Sequence, residues 1–310
     1  MKKTMLRPLL VLFALALLAL NACKKPSTND TDDSVSSGDA SAISAALNST
    51  TNDADNAFST NNKVSGKTQG LVYESLCNAT ATIDTVAGKG SILYTTGGTD
   101  CSGTVTRSGT ITITLENYPA VHWSDSGAIL AITYSNVAVT LNGYTYTFNG
   151  TQYIINVSGG LAWKVMDGVT PNATVVRKHV ADNVSVSFPN NTTRTWSFRR
   201  SRTFTDANNT PTITQAGDTT INGISNTESW GTDRLGESFQ TEITSPISSN
   251  YNCGFFHPTT GSVTHQVANR SVTVTYGVDQ NGHTEPSGTC PYGYQITYTK
   301  GTKTVTAVFP

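Results

Sequence analysis

The sequence predicts a mainly β protein: an antiparallel meander, arranged as a sandwich-like stack of long hairpins, with a short helix near its N-terminus. Three observations carry this. Charged residues make up 13% of the 310-residue chain, about half the roughly 25% of an ordinary soluble domain, and Thr, Ser, Asn and Gly fill the deficit. From about Leu71 onward apolar residues recur at every second position, the period of a strand with one face buried. Asn-Gly dipeptides, which suit the φ > 0 positions of type I′ hairpin turns, stand at Asn142-Gly143, Asn149-Gly150, Asn222-Gly223 and Asn281-Gly282.

Residues 1–22 read as an export leader. Lys2, Lys3 and Arg7 form a basic start, and the apolar run Leu9 to Leu20 is too short to cross roughly 30 Å of hydrocarbon as a helix. Leu20-Asn21-Ala22-Cys23 resembles a lipobox, where signal peptidase II cuts ahead of an acylated cysteine; Asn21 departs from the usual Ser, Thr or Ala, while small Ala22 fits. The resemblance implies lipidation at Cys23 and a membrane reached through that lipid. An ordinary secretory leader, with Cys23 an incidental thiol, is the alternative. Residues 23–38 have the Ser/Thr/Asp/Asn composition of a disordered tether. Losing Lys2, Lys3 and Arg7 takes three positive charges from a net −1 and leaves −4. Such a balance gives no reason to expect nucleic acid.

A helical segment is predicted over residues 39–60, where Ile43, Leu47, Thr50, Ala54 and Phe58 recur every three or four positions. Residues 61–310 form the β domain. Ile111, Ile113 and Leu115 alternate with threonines. Val137, Val139 and Leu141 share a face, as do Tyr144, Tyr146 and Phe148, then Tyr153, Ile155 and Val157, then Val184, Val186 and Phe188, then Trp196 and Phe198. Val272, Val274 and Tyr276, and finally Val305, Ala307 and Phe309, close the series. Two Asn-Gly turns bracket a short strand at Tyr144–Phe148, and roughly twelve to sixteen strands are expected in all. A candidate subdivision falls at 246–250, ahead of a unit carrying two cysteines. A transmembrane barrel shares the alternation, but the acylated start and the cysteines argue against it.

Apart from Cys23, the cysteines are Cys77, Cys101, Cys253 and Cys290. An even number in an exported chain predicts two disulfides. Of the three pairings, Cys77–Cys101 with Cys253–Cys290 joins neighbouring hairpins. A Cys₄ zinc site would want a C-x₂-C spacing, which is absent.

Chemistry is sparse. Glu228, Asp233 and Glu237, beside Trp230 and Arg234, are the one local carboxylate cluster of the kind a glycosidase needs, and they read as a solvated loop. Asp125 beside His122 and Trp123 is weaker. His257 and His265 read as solvent-facing or turn residues, and no histidine spacing matches a zinc enzyme. Asp279, Asn281 and Glu285 outline an oxygen-rich loop, without the alternating carboxylates of a calcium site. Arg177, Lys178, Arg194, Arg199, Arg200 and Arg202 form the one basic concentration. It reads as a charged edge strand that blocks edge pairing, or as a face for an anionic glycan or phosphate. Trp123, Trp163, Trp196 and Trp230 read as core in preference to a sugar platform.

The stretch carrying Trp230-Gly231-Thr232, Arg234-Leu235-Gly236, Phe239, Cys253, Gly261, Val272 to Gly277, Cys290 and Tyr298 to Thr302 resembles uncharacterised β-rich lipoproteins of Bacteroidota-type bacteria. The resemblance implies an outer-membrane address and no activity. The joint expectation is a membrane-anchored lipoprotein of the bacterial envelope. Its β domain would be structural or binding, would engage a glycan or an envelope protein, and would use no cofactor, metal or nucleic acid. The alternative is a glycan-active hydrolase or lyase with a dispersed site.

Overall fold

The computed structural model describes residues 28–310, except 67–75, 101–102, 104, 142, 171, 208, 255–256 and 286–289, and for 28–34 the backbone alone. Cys23, the leader and Cys101 lie outside the described residues. Three helices are described: α1 (Thr28–Thr60), α2 (Asn62–Ser65) and α3 (Ala162–Met166). Fifteen strands follow α2: β1 (Ala79–Asp84), β2 (Lys89–Thr99), β3 (Val105–Leu115), β4 (Ala128–Leu141), β5 (Tyr144–Asn156), β6 (Thr174–Ser187), β7 (Thr193–Ala207) and β8 (Thr210–Gly217). The remainder are β9 (Thr219–Ile221), β10 (Ile224–Thr232), β11 (Ser238–Asn250), β12 (Thr260–Val267), β13 (Arg270–Val278), β14 (Gly293–Lys300) and β15 (Lys303–Phe309). All belong to one antiparallel sheet whose order follows the chain, except that β8 and β10 each pair with both β7 and β11 and β9 pairs with β10 alone.

The expected meander of hairpins is therefore present, and α1 covers its inner face. Ser36, Asp39, Ala40, Ile43, Ala46, Leu47, Thr50, Thr51, Ala54, Ala57 and Phe58 are all buried, one stripe at helical spacing. The helix starts at Thr28, so it takes in most of the segment expected as a tether at 23–38. Within little more than one turn, Ser49 and Asp53 meet Arg107 on β3, Thr50 meets Tyr134 on β4, Thr51 meets Gln152 on β5, and Asn52 meets Arg202 on β7. Four strand spacings are roughly 19 Å, wider than the roughly 10–12 Å of a helix. The sheet must curve around α1.

A line of irregularities supplies the curvature. Register shifts interrupt β2 between Tyr94 and Gly98, β4 between Tyr134 and Val137, and β6 between Ala181 and Val184. Asn136 (φ 52°) and Asn183 (φ 53°) sit in the bulges of β4 and β6, with Gly109 (φ 98°) and Gly150 (φ 133°) on the intervening strands. Bulges bend a strand and increase its twist. They also switch which parity faces inward. On β4 the buried set runs Leu130, Ile132, Tyr134, then Val137, Val139, Leu141; on β6 it runs Arg177, His179, Ala181, then Val184, Val186, with Phe188 just past the strand's end.

One sequence expectation is corrected here, and the place of the candidate seam is now visible. Asn149-Gly150 is not a hairpin turn. It lies inside the thirteen-residue β5, where a Cβ added to Gly150 would sit 3.2 Å from Val184 Cα. Because the extra residues belong to β4 and β6, β5 keeps one parity: Tyr146, Phe148, Gln152, Ile154 and Asn156 face inward, while Tyr153 and Val157 are exposed. The candidate subdivision at 246–250 lies within β11, which pairs there with β8 and β12. What does divide is the packing. Tyr276 and Tyr294, with Ile247, Val263, Val274, Ile296 and Phe309, form a small cluster apart from the main core.

Cys253 and Cys290 are disulfide-bonded, 37 residues apart, and Cys77 is also disulfide-bonded. No helix among the described residues is long and apolar enough to cross a membrane. The outward residues of β3 are Thr106, Ser108, Thr110, Thr112 and Thr114, hydroxyls where a membrane barrel would place lipid-facing apolar groups.

Candidate functional site

The bulge in β6 leaves an inward row that alternates apolar and polar groups: Val175, Arg177, His179, Ala181. Opposite it on β7, in direct register, stand Phe204, Arg202, Arg200 and Phe198. Two cross-strand pairs, Arg177 with Arg202 and His179 with Arg200, therefore form a basic quartet on the concave face. On one side β5 adds Asn156 and Ile154 to the same rows. On the other, β8 adds Gln215 and β10 adds Glu228. Beside the quartet along the same strands, α3 packs with Val175 and Phe204 in an apolar cluster. Above the quartet, α1 presents Ser44, Asn48, Asn52 and Asp55.

Each guanidinium is fixed differently. Arg200 Nη1 donates to Ser44 Oγ at 2.8 Å and to Glu228 Oε1 at 2.9 Å, and Nη2 donates to Asn48 Oδ1. Arg202 Nε donates to Gln215 Oε1 at 3.1 Å and Nη1 to Asn52 Oδ1 at 3.4 Å. Arg177 Nη2 donates to the Gly160 carbonyl at 3.1 Å, lies 3.9 Å from Asp55 Oδ1, and its guanidinium stacks 4.3 Å from the Trp123 ring centre. Trp123 Nε1 in turn donates to Asp55 Oδ1 at 2.6 Å. Burial and the charge of Arg200 pull Arg202 down to about 9. Burial also lowers Arg177. Burial, then Arg202, Arg200 and Arg177, hold His179 well below the usual histidine range, so its ring is neutral at pH 7.

Three further polar contacts tie α1 to the sheet away from this belt. Arg107 on β3 pairs with Asp53, whose carboxyl burial pushes up to about 6 against the opposing pull of Arg107. Asp39 takes Arg234 as a paired donor and accepts from Tyr146 Oη at 2.9 Å. Near the helix start, Ser36 Oγ is 3.1 Å from His265 Nε2.

The sequence candidates are redistributed accordingly. The basic concentration is not an edge strand: β6 and β7 are central, and Arg177 and Arg200 are 1% and 2% exposed. Glu228 and Asp233 are buried, not in a solvated loop. Glu228 pairs with Arg200, Asp233 accepts from the Leu235 and Glu237 amides to shape the β10–β11 turn, and Glu237 pairs with Arg270. They do not converge on a common point. His265 is buried, stacked on Phe239 and hydrogen-bonded on both ring nitrogens, which corrects its reading as solvent-facing. His257 is exposed. Asp125 accepts from the His122 amide, and Asp279 from the Asn281 and His283 amides, each ordering its own turn. Among the described residues no group of three His, Cys, Asp or Glu could hold a metal. Trp123 and Trp196 are core.

Sequence reasoning missed Asp39, Asp53, Asp55, Asn48 and Arg107. The available signal was phase: Arg107, Arg177 and His179 occupy positions that the alternation reserves for the core, and such residues need partners.

No protein-family model matches the chain, and neither a curated protein nor a solved structure matches it.

Proposed function

We propose that this protein is a lipid-anchored lipoprotein of the bacterial outer membrane whose β domain is a non-catalytic structural or binding module for a glycan or an envelope protein. The anchor reading rests on the basic start, the apolar run and the Ala22-Cys23 junction. The observation that carries the non-catalytic reading is the occupancy of the concave face. In a glycan-cleaving cup two carboxylates face each other across an open cleft, several ångströms apart. Here α1 fills the cup, and Asp39, Asp53, Asp55 and Glu228 on that face are each paired with an arginine. The opposite face fits a hydroxyl-rich ligand. Thr264, Thr273, Thr297 and Thr306 stand in one register row across β12 to β15. Their hydroxyls pair at 2.9 and 3.2 Å, and each keeps hydrogen-bonding capacity to spare.

The test has two arms. Palmitate labelling in a bacterial host is expected to mark the wild type and to lose the label in Cys23→Ser; equal labelling of both overturns the anchor. The soluble chain starting at residue 24, offered to a glycan array and to the same glycans in a turnover assay, is expected to retain ligand without releasing product. Product formation that Glu228→Gln abolishes would instead establish an enzyme.

A further inference from the structure

The quartet of Arg177, His179, Arg200 and Arg202 carries an imbalance that its protein partners do not correct. We propose that it is an internal binding site for a small inorganic anion of the halide kind, held between α1 and strands β6 and β7.

Charge comes first. Arg177 lies directly opposite Arg202, and like charges placed so across strands repel; the neutral His179 opposite Arg200 brings no compensating charge. Against three guanidiniums stand two carboxylates, Asp55 near Arg177 and Glu228 on Arg200. Arg202 is met by the neutral oxygens of Gln215 and Asn52. An excess positive charge in a water-poor interior is strongly unfavourable, and one monovalent anion cancels it.

Hydrogen bonding points the same way. Arg177 Nε and Nη1, Arg200 Nε and both ring nitrogens of His179 are buried with no partner, and the three residues are 1%, 2% and 4% exposed. A neutral imidazole offers one N–H and one acceptor. The orphaned atoms therefore comprise four donors and a single acceptor. Water would bring hydrogens of its own to a place already rich in them. An anion brings only acceptor capacity, together with the missing charge. α1 lies over the quartet through Ser44, Asn48 and Asn52, and α3 packs on the adjoining Val175–Phe204 pair, so the guest proposed is a small one. Half-buried Arg202, beside the exposed Asn52 of α1, marks the way in.

The test uses the full mature chain at constant ionic strength, with gluconate salts replaced stepwise by bromide or chloride. The melting midpoint is expected to rise saturably by several degrees, and a bromide-soaked crystal should show an anomalous peak within hydrogen-bonding distance of Arg177 and His179. Arg202→Gln should abolish the saturable rise. If that variant fails to fold, the wild-type titration and anomalous map decide alone. A midpoint indifferent to halide, an equal unsaturable rise with sulfate, or bromide peaks only on the outer surface (an adventitious ion only) would each overturn the proposal.

Discussion

At the scale of single residues, the interior of this protein is governed by what burial does to ionisable groups. His265 is the clearest case, because its surroundings are simple. Its ring bridges Ser36 on α1 and Thr241 on β11 and stacks on Phe239. Burial pulls it down to about 4, only partly opposed by Asp233. The unfolded chain binds the proton near 6.5, so between pH 6.5 and about 4 the unfolded state holds more protons than the folded one. Stability is then fully present above 6.5 and is lost as the pH falls through that window. The span corresponds to as much as about 3 kcal/mol. Urea titrations at several pH values are expected to show this acid loss in the wild type and a shallower slope in His265→Asn. Parallel slopes would show that protonation of His265 does not control docking of the helix start. Asp53 runs the other way: raised to about 6, it favours the fold below that pH, so a comparison at one pH alone would mix the two.

At the scale of elements, strand existence was legible in the sequence and strand geometry was not. Alternation and Thr content located the sheet, and Asn222-Gly223 is the turn that its residues announce, with φ of 51° and 82°. Asn149-Gly150 misled because residues that accept φ > 0 serve bulges as well as turns. Only a partner strand, absent from local sequence, distinguishes the two. The helix was visible where Ile43, Leu47 and Phe58 recur, but its first turns are Thr, Asp and Ser, whose propensity is poor, and the contact of Ser36 with His265 on β12 is invisible to local sequence. The arginines were visible as a concentration and misplaced as an edge, because the parity switch in β6 depends on a bulge. The fork where β8 and β10 part is likewise a close-contact device. A Cβ on Gly217 would sit 1.9 Å from the Asn226 carbonyl oxygen, on backbone that has no room to yield. Gly217→Ala is expected to cost about 1–3 kcal/mol by overpacking, read as a lowered melting midpoint. An unchanged midpoint would mean the fork opens freely.

At the scale of the whole molecule, the long sheet serves two bodies of unequal strength. The main core is built on α1 and draws side chains from β2 through β7 and on to Phe239 and Val267. Beyond it, β13 to β15 meet in the small Tyr276–Tyr294 cluster, and Val305 on the last strand is 63% exposed. A region with few fully buried apolar groups opens before the rest. The Cys253–Cys290 disulfide ties the chain just after β11 to the chain just before β14, closing a loop of 37 residues around β12 and β13. In the chain-entropy account a loop of that size contributes about 4 kcal/mol, and its contribution falls on the weaker body. Replacing both cysteines by alanine should therefore strip amide-exchange protection from β14 and β15 while α1 and β3 to β6 stay protected. Cys77, disulfide-bonded elsewhere, makes this double variant a cleaner probe than a reductant. Uniform loss of protection across both bodies would show that the sheet opens as one cooperative unit, with the small cluster held by the strand ladder alone.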